Sequence, residues 1–111
     1  MANPWAGEVA IEIDGVVRPM KLTLGALADL EAGLGEASLI ALVERFEAGR
    51  FSARDVLALI VAGLRGGGWA ECSVAGLAAA DIGGGAVGAA RAAAALLARS
   101  FALPGEGGHG L

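Results

Sequence analysis

The chain has 111 residues, with 12 Asp+Glu against 8 Lys+Arg and a formal charge of −4. That is the size of one compact domain, and its acidity argues against nucleic-acid binding, which draws most of its affinity from neutralised phosphates. Hydrophobic residues reach 56 %, much of it alanine, and charged residues only 18 %; a surface this apolar suits a protein that meets a partner.

The first pattern along the chain is an alternation of period two: Val9, Ile11 and Ile13 against Glu8, Ala10 and Glu12. Asp14-Gly15 follows, the pair favoured in two-residue type I′ turns because both central residues need positive φ. Closing a hairpin over 8–22 sets Ile13 opposite Val16, Ile11 opposite Arg18, Val9 opposite Met20 and Glu8 opposite Lys21. Val9, Ile11, Ile13, Val16, Met20 and Leu22 then share one apolar face. Pro19 lacks an N–H for a ladder, so the second strand is expected at an edge. A lone hairpin is barely stable, and its apolar face needs helices to cover it.

The period changes at Thr23, which is placed to cap a helix over 24–33 with Leu27, Leu30 and Leu34 on one stripe. Leu22 and Leu27 have the spacing of a hydrophobic staple. A second helix is predicted over 37–48, with Leu39, Leu42, Val43 and Phe46 inward, Glu44, Arg45 and Glu47 outward, and Gly49 as the stop. Ser52 and Asp55 approximate a capping box, Phe51 and Val56 repeat the staple spacing, and Val56, Leu57, Ile60, Val61 and Leu64 make 53–65 the expected central helix. It should end at Gly66-Gly67-Gly68. Ser73 is placed to cap a short helix over 73–80. Alanine, the best helix former, dominates 86–103, where Val87, Ala90, Ala94, Leu97 and Phe101 recur at helical spacing and Arg91 and Arg99 face solvent. Pro104 closes this helix, and 104–111 read as a flexible tail.

Chemistry-bearing patterns are sparse. Gly83, Gly85 and Gly88 have the spacing G-x-G-x-x-G, but a dinucleotide site needs it between a strand and a helix of a βαβ unit, and no parallel-strand pattern surrounds it. Glu44 with Glu47 and Asp29 with Glu31 sit opposite apolar stripes, where solvated charge is the ordinary arrangement rather than an acid/base pair in a cleft. Arg45, Arg50, Arg54 and Arg65 allow a helix-turn-helix reading, which the interleaved Glu44, Glu47 and Asp55 oppose. Cys72 is the single cysteine and His109 the single histidine, so neither a disulfide, a zinc cluster nor a histidine-based dyad is expected. Nor is a secretory signal or a spanning helix. Trp5 and Trp69 lie outside the predicted elements, and tryptophan is equally a lid on a small core or a binding hot spot.

Three segments taken together carry a resemblance: Leu22-Thr23-Leu24-Gly25-Ala26-Leu27-Ala28-Asp29-Leu30-Glu31, Phe46-Glu47-Ala48-Gly49-Arg50-Phe51-Ser52-Ala53-Arg54-Asp55, and Gly63-Leu64-Arg65-Gly66-Gly67. With the order of elements around them, over most of residues 3–102, the chain resembles the tail assembly chaperone family of gene transfer agents and related alphaproteobacterial prophages. The resemblance implies a non-enzymatic role: binding the long helical tape measure protein and keeping it soluble until tail-tube subunits polymerise around it. Older descriptions of the family associate it with the tail tube itself. No catalytic residues are implied.

The sequence therefore predicts one α+β domain, predominantly helical, over 1–103, with the N-terminal β-hairpin packed on about four helices. The expected function is tail assembly chaperoning in the cytoplasm through the tape measure protein and the tail tube protein, with self-association and without metal, cofactor, nucleic acid or membrane. Alternatives are a structural tube or connector subunit and a small DNA-binding regulator. Val87, Ala90, Ala94, Leu97, Phe101 and Trp69 are the candidate partner-binding residues, with Leu96, Leu97 and Phe101 as anchors; the opposing possibility is that the last helix only completes the chain's own core.

Overall fold

A computed structural model describes residues 7–33 and 38–100. Two antiparallel strands, β1 (Val9–Ile13) and β2 (Val16–Met20), pair in the register the alternation dictates, with Val9 opposite Met20 and Ile13 opposite Val16. Asp14 and Gly15 take φ of 52° and 81°, the left-handed pair a type I′ turn requires. Ile11, Ile13 and Met20 are buried, but Val16 at the hairpin tip is 52 % exposed. It was expected to share their buried face, but next to the turn it stays exposed. The outer edge of β1 is continued by the segment before the last helix. Ile82 bridges Ile13, the Asp14 N–H donates to the Asp81 carbonyl at 2.7 Å, and the Gly83 N–H donates to the Glu12 carbonyl at 2.9 Å.

Five helices follow among the described residues, one for each segment read as helical, against the about four expected to pack on the hairpin. They are α1 (Leu24–Gly33), α2 (Leu39–Glu47), α3 (Ala53–Gly66), α4 (Val74–Ala78) and α5 (Gly85–Ser100). The short α4, capped by Ser73, is the helix expected over 73–80, and each of the five segments read as helical forms one. The fold is α+β and mainly helical. Side-chain caps start four of the helices. The Thr23 hydroxyl accepts from the Ala26 N–H at 3.0 Å, Ser38 from Ala41 at 3.0 Å, Ser52 from Asp55 at 3.1 Å and Ser73 from Gly76 at 3.1 Å. Each answers one of the N–H groups that a helix start leaves without an internal partner. Ser38 accordingly moves the start of α2 from residue 37 to Leu39. Leu34, Phe101 and 104–111, which carried parts of the sequence reading, lie outside the described residues, as do Trp5 and His109.

The core is built on α3, whose Leu59, Ile60 and Leu64 are fully buried. Met20 from the sheet, Leu30 from α1, Leu42 from α2, Leu77 from α4 and Leu96 from α5 join it. Two glycines let α3 approach the hairpin. A Cβ on Gly66 would run into the backbone carbonyl of Lys21, and one on Gly63 would lie 2.6 Å from Leu96 Cδ2 and 3.0 Å from Met20 Cβ. The Gly63 carbonyl also accepts the Lys21 N–H at 2.9 Å. Gly66, read as part of the helix stop, thus does a second thing: with Gly63 it seats α3 against the hairpin.

Candidate functional site

Helix α5 was expected to carry the binding surface, and its placement separates the candidates. Its buried residues are Ala89, Ala93, Leu96 and Leu97. The predicted stripe ran through residues 87, 90, 94 and 97, about 100° round the helix from 89, 93 and 96. Val87 is 64 % exposed, Ala94 is exposed and Ala90 is half-buried, whereas Leu97 is only 4 % exposed and belongs to the chain's own core. Leu96, the other described anchor, is fully buried. Alanine looks alike on every face of such a helix, so the two large leucines decide which side turns inward.

Beside the N-terminal half of α5 runs a cleft of about 440 Å³. Phe51, Val56 and Leu57 form one wall, Leu77 and Ile82 its floor, and Ala86, Ala89 and Ala90 the wall from α5. Its size falls within the ~300–1,000 Å³ of pockets that hold small ligands or a few partner side chains. Among the described residues, Asp81 is the single charged one lining it. Asp81 is tied to Asp14 by two hydrogen bonds: its N–H donates to Asp14 Oδ1 at 2.8 Å, and its carbonyl accepts the Asp14 N–H. Asp81 thus brings one exposed acidic residue to the lining of an otherwise apolar cleft, and Asp14, outside the lining, holds its backbone in place. Of the five candidate residues that are described, Ala90 alone lines it.

The position of Phe51 is fixed from α2. Its ring stacks on Phe46 at 4.5 Å between centroids and 7° between planes. Next to this stack, Arg45 donates through Nε and Nη2 to Asp55 Oδ2 and Oδ1 at 3.0 and 2.9 Å. Asp55 Oδ2 also accepts the Ser52 N–H, completing the capping box of α3. Arg45 was expected to face solvent, but it is half-buried and clamps α2 to the start of α3. The Arg45 hydrogen bond, against a smaller opposing effect of burial, holds the Asp55 carboxyl below the usual range, and Ser52 adds to it.

Trp69 occupies a separate place. Arg18 of β2 lies over its ring at 3.9 Å, a cation–π contact, in a polar cleft shared with Pro19, Gly67, Gly68 and Glu71. Trp69 also packs against the core, so it is lid and surface at once. Cys72 is buried, which raises its thiol pKa and holds it protonated; a buried thiol of this kind is unreactive. Among the described residues no group of three or more His, Cys, Asp or Glu side chains could hold a metal ion. No described helix is long and apolar enough to cross a membrane. Gly83, Gly85 and Gly88 connect the Ile82 bridge to α5, but the described sheet is a two-stranded antiparallel hairpin, so the βαβ frame of a dinucleotide loop is not there. Gly88 instead lets α5 pack against the Gly83 carbonyl.

A family model described as phage tail tube protein, GTA-gp10, matches residues 6–103. The chain belongs to this family. The match spans every described element, and it makes the chain a phage or gene-transfer-agent tail-related protein. It bears out the tail context of the resemblance but not the chaperone role, since the family's description names the tail tube. No curated protein and no solved structure shows a match to the chain.

Proposed function

We propose that the chain is a non-catalytic, protein-binding component of a phage-like tail, retained in the particle as a tube or connector subunit. The observation that carries this reading is the family match over residues 6–103, whose description names the tail tube. The apolar cleft beside α5 supplies a surface for contact with a neighbouring protein. A second reading, assembly chaperone for the tape measure protein in the cytoplasm, is favoured by the same cleft together with the net charge of −4. Small alanine walls admit an apolar client closely, and net charge keeps the complex in solution. The DNA-regulator alternative draws no support from α3, which buries Val56 and all of 59–64 in the core.

The two tail readings differ in the fate of the chain. Quantitative mass spectrometry of purified particles separates them. A tube or connector subunit is present in a fixed ratio to the other tail proteins. Absence from particles, with recovery on the tape measure protein in producing cells, transfers the assignment to the chaperone. Absence from both contradicts both.

A further inference from the structure

The geometry points to the cleft between α3, α4 and α5 as the docking site for one amphipathic helix of a partner protein, with a Lys or Arg beside its apolar edge. This rests on the reading of the chain as a protein-binding tail component and names the chemistry of the segment it binds. Three observations converge. The cleft is walled by apolar side chains and is about 440 Å³ in volume, room for a few partner side chains rather than a whole element. On the α5 side the wall is Ala86, Ala89 and Ala90, and such small residues let a second helix approach closely before side chains collide. Among the described lining residues Asp81 is the one charged group, its backbone fixed by the Asp14 carboxylate and N–H, and no described Lys or Arg lines the cleft. Charge complementarity therefore selects a basic flank on the occupant and disfavours an acidic one. A second copy of this chain is a poorer occupant, because each copy carries a charge of −4.

The test uses the full chain and two fluorescein-labelled Leu/Ala amphipathic peptides of about 18 residues, long enough to form helix on binding. One carries Lys beside its apolar stripe and the other Glu, and binding is read by fluorescence anisotropy. The Lys peptide is expected to bind several-fold more tightly than the Glu peptide. Asp81→Asn should weaken the Lys peptide about 2–5-fold, the scale of a partly exposed ion pair. Ala90→Arg, which places bulk and positive charge in the cleft, should weaken it more than about tenfold, as loss of a central contact does. Ala32→Arg, the same charge added at an exposed site on α1, should leave binding unchanged, and circular dichroism checks that each variant is folded. Equal binding of the two peptides, binding of neither, or retention of binding by Ala90→Arg overturns the proposal. So does sedimentation showing a dimer of the chain that Ala90→Arg dissociates, since a second copy is then the occupant. The peptides are not tail proteins, so this outcome is independent of the particle composition that tests the tail reading.

Discussion

Replacing Leu97 with alanine separates the two roles open to α5. Leu97 is 4 % exposed and Leu96 beside it is fully buried, within a core shared with α3 and the sheet. The change removes three methylene equivalents, about 2.4 kcal/mol of transfer free energy at ~0.8 kcal/mol each. The hole left behind adds to this, and buried Leu→Ala replacements cost about 2–5 kcal/mol in all. Next to Leu97 the helix offers Ala93, whose single methyl cannot swing in to fill the space, so a cost of about 3 kcal/mol is expected. For a chain of 111 residues that is a large share of a total stability of roughly 5–15 kcal/mol. It should lower Tm by roughly 10–20 °C. Val87→Ala, at an exposed site on the same helix, should stay within about 0.5 kcal/mol of the parent. Urea and thermal unfolding followed by far-UV circular dichroism measure both. A Leu97→Ala variant as stable as the parent would refute the placement of α5, the more so if Val87→Ala were the variant that fell.

Two further outcomes follow from named contacts. Gly66→Ala should destabilise strongly, by about 1–3 kcal/mol or more as overpacking does, although alanine is normally the better helix former by about 1 kcal/mol. The new Cβ meets the Lys21 backbone carbonyl, which has no rotamer with which to move away; a gain in urea midpoint would contradict the close seating of α3 on β2. Asp55, its carboxyl held low chiefly by Arg45, stabilises the fold above the ordinary unfolded value of about 3.9 and loses that contribution as pH falls through its lowered folded value. The stability gap between the parent and Asp55→Asn should therefore be full near neutrality and shrink below about pH 4, where the unfolded carboxyl takes up its proton. A gap independent of pH would show that the clamp does not act through charge.

The parts of the fold legible in the sequence are those where local chemistry admits one answer. Asp14-Gly15 between alternating strands fixes turn type and register together, and Ser52 with Asp55 fixes the start of α3. The face of α5 was not legible, because a helix of alanines carries almost no directional signal and Leu96 and Leu97 are adjacent in sequence. Arg45 was misplaced for another reason: a charged residue opposite an apolar stripe reads as solvated, and its partner ten positions on becomes visible only once α2 and α3 are folded together. The cleft was illegible as a site since its walls come from three helices and a bridge, each of whose residues reads singly as core or surface. Ala90 was singled out by spacing alone. Asp81, which carries the charge in the cleft lining, had no sequence signal beyond lying before the glycine run.

The claim that this chain is a protein-binding tail component is tested most directly by deleting its coding sequence in a producing cell and imaging the released particles by electron microscopy. The account predicts heads with absent or aberrant tails, restored by the parent sequence supplied in trans. Tails of normal length and number in the deletion strain would contradict it.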